Sequence, residues 1–173
     1  GLEELVGDLA ALPEVEDVAL TTNGVLLARH AQELRAQGLK RVTVSFDSLD
    51  RDVFRQMSGG HGEPAEVLAG IEAALAAGLG PVKVNCVVER GLNDHTVLDL
   101  LDRFRGTPVV VRLIEYMDVG TRNRWDPARV VPSRELRDRI AARWPLEPVE
   151  RGYRGEVAER YRYADGAGEI GFI

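Results

Sequence analysis

Short apolar runs alternate with amphipathic stretches from the start of the chain to about Gly120, and this repeat constrains the fold more than any other feature. The apolar runs predict four strands, at Asp17 to Thr22, Arg41 to Phe46, Pro81 to Val88 and Pro108 to Glu115. Successive runs begin roughly 24 to 40 residues apart, which leaves room for a helical crossover between each pair. Alternating strands and helices form a parallel sheet, so the predicted fold class is α/β.

The connecting stretches carry apolar residues at helical spacing and predict the helices between the strands. The first two helices are predicted to stop at Gly38 and Gly78, since glycine suits the left-handed position that follows a helix. The third is predicted to begin with Asn93 or Asp94 as its N-cap, because either side chain can accept hydrogen bonds from a first helical turn.

The pattern changes after residue 120, and two domains are predicted. Residues 1–120 form a barrel-like unit, and residues 121–173 form a linker and the start of a differently built region. In this region a helix is predicted from Ser133, as N-cap, to about residue 142. Two strands are predicted to follow it, at Glu156 to Tyr163 and Gly168 to Ile173.

The charge balance argues against a broad binding surface for nucleic acid or an anionic membrane. The chain has 22 basic and 28 acidic residues, a net charge of −6, and its 45% hydrophobic residues can fill a core. Its one cysteine, Cys86, excludes an internal disulfide framework, and its three histidines lack the spacing of metal ligands. No apolar run reaches the ~18 residues of a membrane span, so we predict a cytoplasmic protein without a metal site in this chain.

Two cations interrupt otherwise apolar strands: Lys83 lies within the third strand and Arg112 within the fourth. A buried charge is costly unless it is paired, so each cation indicates either a ligand site or an internal salt bridge. Lys83 shares a strand face with Asn85, and both side chains could point into a polar interior while the neighbouring valines face the helices. The alternative is that Lys83 pairs with Asp47 or Glu115 inside the protein.

Ligands of parallel α/β folds bind at the carboxyl ends of the strands, so the candidate residues are those in the stretches that form these ends. Thr21 precedes an Asn-Gly turn, Ser45 alternates with large apolar residues, and Met117 follows the fourth strand; the stretches that contain Lys83 and Arg112 lead into the same ends. Ordinary roles also fit, because Thr21 could close a tight turn, Ser45 could make strand hydrogen bonds and Met117 could pack in the core.

Four segments stand out together by their order and spacing: Leu20 to Gly24, Val42 to Asp50, Val82 to Asn85 and Arg112 to Gly120. Together they closely resemble the molybdenum cofactor biosynthesis protein A family, the radical S-adenosylmethionine (SAM) GTP 3',8-cyclases. The stretch Tyr161 to Ile173 is also similar to the family's sequence shortly before its second cluster motif. The resemblance therefore covers nearly the whole chain.

This resemblance implies a partial (βα)6 TIM-like radical SAM barrel with parallel strands, followed by the beginning of a C-terminal α+β domain. It implies SAM and two 4Fe–4S clusters as cofactors of the full-length family and GTP as the substrate. SAM is cleaved reductively to a 5'-deoxyadenosyl radical, and GTP is rearranged toward the molybdopterin precursor. The protein supplies binding, orientation and shielding while the cofactor breaks the bonds.

The resemblance also implies roles for five residues of this sequence. Ser45 and Met117 match SAM contacts of the family, whereas Thr21 and Lys83 match GTP contacts. Arg112 matches an arginine of the same barrel interior, and we group it with the residues that bind GTP. No residue is assigned a catalytic role.

The chain departs from the family pattern in its cysteines. The family's motif Cys-x3-Cys-x2-Cys belongs before Gly1 and a second three-cysteine motif belongs after Ile173, so we interpret the chain as a central segment without activity of its own. Unpaired sheet edges would then favour aggregation or a homodimer. Two alternatives stay open: a non-catalytic α/β module that holds a small anionic effector with Lys83 and Arg112, or another radical SAM enzyme.

Overall fold

A computed structural model describes residues 1–117, 126–150 and 157–173 of the chain. Within these ranges the helices are α1 (Leu2–Ala10), α2 (Leu27–Ala36), α3 (Arg51–Met57), α4 (Pro64–Ala76), α5 (Val97–Phe104) and α6 (Ser133–Arg143). The strands are β1 (Ala19–Thr22), β2 (Arg41–Ser45), β3 (Val82–Val88), β4 (Val110–Glu115), β5 (Leu146–Val149), β6 (Glu159–Tyr163) and β7 (Glu169–Phe172). In the same ranges, no helix is both long enough and apolar enough to cross a membrane.

All these strands form one sheet in the order β1-β2-β3-β4-β7-β6-β5. The pairings from β1 to β4 are parallel, as predicted, and β7 continues the parallel arrangement beside β4. The last two pairings, β7 with β6 and β6 with β5, are antiparallel. The predicted domain boundary at residue 120 and the predicted strand start at residue 156 lie outside the described residues, and the two-domain division stays a prediction.

The sheet separates an apolar face from a polar face. On β3 the residues alternate between buried and partly exposed, so Val82 and Val84 pack among the helices while Lys83 and Asn85 occupy the opposite face. The α/β fold and this assignment of faces are as the sequence predicted. The polar face is therefore the surface on which a ligand can contact several strands.

Helix ends follow the glycine signals but not all of the predicted caps. Gly38 and Gly78 have φ values of 104° and 73° just beyond α2 and α4, as expected for a left-handed residue after a helix. The predicted cap at Asn93 or Asp94 is wrong, because α5 begins later and has Thr96 as its N-cap. The predicted cap at Ser133 is also wrong by one residue, since Pro132 occupies that position.

Asn93 performs a different task, which explains why it does not cap a helix. Its Oδ1 accepts a hydrogen bond from the backbone N–H of Glu89 at 2.8 Å, and its Nδ2 donates to the carbonyl oxygens of Asp47 and Val87 at 3.0 and 2.8 Å. The fully buried amide thus joins the ends of β2 and β3. A short polar side chain satisfies buried backbone groups here instead of a helical turn.

Helix α3 and strand β5 were not predicted from the sequence. The short helix α3 follows β2 and is capped by Asp50, whose carboxylate accepts hydrogen bonds from the backbone N–H groups of Asp52 and Val53. Strand β5 contains Pro148, a residue that usually argues against a strand. It is tolerated because β5 is the outermost strand of the sheet and pairs on one side with β6.

Candidate functional site

The strand register places four of the five predicted site residues in two rows on the polar face. Registered residues of neighbouring strands point their side chains to the same face of a sheet. One row consists of Thr21, Thr43 and Lys83. The next row consists of Ser45, Asn85 and Arg112. The rows are two residues apart along the strands, or about 6 to 7 Å, and the second lies nearer the carboxyl ends.

The predicted residues occupy different positions along the strands. Ser45 is the last residue of β2, and Met117 follows β4 by two positions, so both lie at the carboxyl ends, as predicted. Lys83, however, is the second of seven residues in β3, and Arg112 is the third of six in β4. The expectation that the whole site lies at the carboxyl ends is therefore wrong for these cations, because β3 continues well past Lys83.

A cavity of about 320 Å³ opens on the polar face around the two cations. Its lining includes Lys83, Arg112 and Gly171 of the sheet, together with Arg160 of β6 and Glu169 of β7. Arg160, Glu169 and Gly171 come from the C-terminal region, and none of them is among the site residues predicted from the sequence. Arg160 lies among polar neighbours in β6, whereas Glu169 begins the apolar strand β7, and no local pattern connects either residue with the cations of β3 and β4.

Arg112 is oriented by an amide. Its Nε donates a hydrogen bond of 2.8 Å to Oδ1 of Asn85, its neighbour in the row.

The two carboxylates considered as partners of Lys83 accept backbone hydrogen bonds: Asp47 from the N–H of Val87 at 2.8 Å, and Glu115 from the N–H of Ser133 at 2.5 Å. The arrangement brings Lys83 and Arg112 to one cavity.

The other three candidate residues lie outside the lining of this cavity. Thr21 and Ser45 are exposed on the polar face, and 50% of Met117 is exposed beyond β4. Asp118, which the sequence placed beside Met117, lies outside the described residues. The structure therefore separates an exposed group at the carboxyl ends, Ser45 and Met117, from the cations of the cavity.

Asp47 is a titratable group close to the exposed carboxyl-end residues. It follows Ser45 by two positions, and its partial burial raises the pKa of its carboxyl group to about 6, while the hydrogen bond from Val87 lowers it. The carboxyl group can therefore exchange a proton near neutral pH. From the sequence, Asp47 is one of two alternative salt-bridge partners of Lys83, and its raised pKa depends on burial that the sequence does not show.

This raised pKa predicts a pH-dependent effect of Asp47→Asn. The folded-state pKa of about 6 exceeds the unfolded value of about 3.9, so the proton stabilises the folded protein below about pH 4, and this contribution disappears as pH rises through 6. Relative to the variant, wild type should therefore lose about 1.4 kcal/mol of unfolding free energy between about pH 5 and pH 8. Urea denaturation at both pH values measures this difference; a constant gap would contradict the assigned pKa.

The residues described by the structure do not form an iron–sulfur ligand set. No group of three or more His, Cys, Asp or Glu side chains within the described ranges could hold a metal ion. The single cysteine, Cys86, is fully buried on the helix-facing side of β3, where burial raises the pKa of its thiol well above the ordinary value. A cluster requires thiolate ligands, so Cys86 does not fit that role.

Comparisons with known proteins match both parts of the chain. Residues 1–104 match the Radical SAM superfamily, and residues 109–173 match Molybdenum Cofactor Synthesis C. A GTP 3',8-cyclase from Xanthomonas campestris pv. campestris (strain B100) is 57% identical over 172 residues, which are 99% of this chain and 51% of that protein. A GTP 3',8-cyclase from Acidothermus cellulolyticus is 50% identical, over 99% of this chain and 48% of that protein.

A solved structure supports the fold independently. Coproporphyrinogen III oxidase (HemN) from Escherichia coli, described as a radical SAM enzyme, aligns with a TM-score of 0.54 and 12% identity. The alignment covers 73% of this chain and 31% of that protein, and at this identity it shows the fold alone. The chain spans about half the length of the curated relatives it matches. It belongs to the radical SAM superfamily and, within it, to the molybdenum cofactor biosynthesis protein A family.

Proposed function

We propose that this chain is the segment of a GTP 3',8-cyclase that supplies part of the SAM and GTP sites for molybdenum cofactor biosynthesis. Two relatives that match 99% of the chain carry that name. The cations predicted to contact GTP line one cavity on the polar face of the sheet, and this observation carries the proposal. Cytoplasmic location and homodimerisation stay predictions from the sequence.

The predicted residues form two groups at different positions along the strands, and this arrangement suits two ligands on the polar face. At the carboxyl ends, the Ser45 hydroxyl and the Met117 thioether can contact the ribose and the adenine of SAM. Farther from the carboxyl ends, Lys83 and Arg112 can make charge-assisted hydrogen bonds to the phosphates of GTP. Thr21 shares the row of Lys83 and offers a hydroxyl about 10 Å away, two strands along the sheet.

The residues of this chain would bind and orient the reactants. SAM, when bound with a reduced iron–sulfur cluster, supplies the radical chemistry of the superfamily. For the whole enzyme we propose two 4Fe–4S clusters, whose thiolate ligands are not residues of this chain because Cys86 is buried and faces the helices. Lys83 and Arg112 would hold the substrate charge in place, and Asn85 would keep the Arg112 fork directed along its row.

Calorimetric titration with GTP and with citrate tests the proposal against the alternative of a module for small anionic effectors. Both probes carry several negative charges, but only GTP offers a base, a ribose and a phosphate chain. We expect GTP to bind at least about tenfold more tightly than citrate, because Lys83 and Arg112 can hold its phosphates while Thr21 on the same face can contact the rest of the nucleotide. Equal affinities would favour the effector module and contradict the proposal.

A further inference from the structure

The polar row that contains Arg112 continues into the C-terminal region of the chain. Arg112 of β4 is registered with Gly171 of β7, and Gly171 is registered in turn with Arg160 of β6. These three residues therefore point to the same face of the sheet. Gly171 stands between two arginines and contributes no side chain, and the aliphatic stem of Arg112 lies against it.

Gly171 is closely packed by its neighbours. Gly171 is buried, and a Cβ atom placed on it would lie 3.1 Å from Cγ of Arg112 and 3.5 Å from Cβ of Ala158. The backbone of Arg112 and that of Arg160 are separated by two strand spacings, about 10 Å. Two guanidinium groups can thus approach one ligand from opposite sides across the glycine.

Arg160 is oriented by a carboxylate within the same cavity. Its Nε and Nη2 both donate to Oε2 of Glu169, at 3.2 and 2.8 Å. Glu169 lies two residues before Gly171 on β7, so it occupies the same face. Among the described residues, the cations Lys83, Arg112 and Arg160 line the cavity together with the carboxylate of Glu169.

We propose that Arg112, Gly171 and Arg160 form an arginine slot that binds the phosphate tail of a nucleoside polyphosphate. This inference rests on the proposed function and adds that the C-terminal region supplies half of the phosphate site. The planar guanidinium groups can each bind two phosphate oxygens, and the absent side chain at Gly171 lets the aliphatic stem of Arg112 lie against β7, beside the cavity that Arg160 also lines. Glu169 orients Arg160 before binding and competes with the phosphate for it.

Arg160→Gln tests the slot in calorimetric titrations with inorganic triphosphate, GTP and guanosine. We expect a loss of affinity of about tenfold or more for triphosphate and GTP, because one charged fork is removed, and no change for guanosine. Arg162→Gln is the matched control: it lies on the same strand and face, pairs with Glu147 and does not line the cavity. If Arg160→Gln binds triphosphate as tightly as Arg162→Gln does, the slot is wrong.

Glu169→Gln separates a binding role from a structural one. Removal of the competing negative charge should strengthen triphosphate binding severalfold, the opposite of the effect of Arg160→Gln. Equal losses in the two variants would mean that the ion pair only holds the strands together, which overturns the slot. Arg160→Lys retains the charge without the fork and should bind with intermediate affinity; it replaces Arg160→Gln if thermal unfolding shows that the latter does not fold.

The same titrations distinguish failure of the slot from failure of the proposed function. If Lys83→Gln weakens GTP binding but Arg160→Gln does not, the GTP site is retained and the slot is rejected. If GTP does not bind the wild-type protein while triphosphate binding depends on Arg160, the slot is retained and the GTP assignment is rejected. If neither ligand binds, both are rejected.

Discussion

Lys83→Gln is expected to weaken GTP binding by about 10- to 100-fold, because a charge-assisted hydrogen bond to phosphate is lost in a partly enclosed cavity. The free energy of unfolding should change by less than about 1 kcal/mol, since Lys83 lies on the polar face and outside the hydrophobic core. Calorimetry with GTP and urea denaturation of the same preparations measure the two quantities.

The sequence offers a matched control for this substitution, because Lys40 and Lys83 are its two lysines. Lys40 is exposed, and its Nζ donates to the carbonyl oxygen of Glu16, away from the cavity. Lys40→Gln changes the net charge by the same amount and should leave GTP affinity within about twofold of wild type. Equal losses in both variants would indicate a general charge effect and would contradict a specific role for Lys83.

Gly70→Ala is expected to destabilise the protein by about 3 kcal/mol, the largest stability effect we predict. A Cβ atom at Gly70 would lie 2.4 Å from the carbonyl oxygen of Gly24 and 3.1 Å from Cβ of Leu27, so α4 would have to move away from the turn that follows β1. Gly24 has a φ of 80° and a Cβ on it would approach Val44, which leaves this turn little freedom to shift.

The expected sign of this effect separates packing from helix propensity. In an exposed helix interior, glycine to alanine stabilises by about 1 kcal/mol, because alanine is the better helix former. Urea denaturation of Gly70→Ala and of Ala69→Gly, a neighbouring exposed position of α4, makes the comparison. We expect both substitutions to destabilise, Gly70→Ala much more strongly; a stabilised Gly70→Ala would contradict the close approach of α4 to the turn.

Periodic features made much of the fold predictable. The four parallel strands follow from apolar runs, and the ends of α2 and α4 follow from Gly38 and Gly78. The features that were missed depend on tertiary contacts. The local sequence around Asn93 fits either a helix cap or a side chain that joins two loops. Asn93 takes the second role because its amide satisfies the buried backbone groups of Glu89 and Val87.

The candidate site was predictable only in part for a similar reason. Alternation along one strand placed Lys83 on the polar face, because that pattern is local. Arg160 could not be found in this way, since its position opposite Arg112 depends on two strand registers that join distant parts of the chain. Sequence spacing also does not show how far along its strand a residue lies. Lys83 was therefore predicted near the carboxyl ends, although it is the second of seven residues in β3.

Amine-specific acetylation followed by mass spectrometry tests most directly whether GTP occupies the cavity beside Lys83. Both lysines of the chain react in one sample, so Lys40 serves as an internal reference for reagent activity. We expect saturating GTP to slow acetylation of Lys83 by about tenfold or more and to leave Lys40 unchanged, because the phosphates cover the Lys83 amine. An unchanged Lys83 rate under saturating GTP would contradict the account.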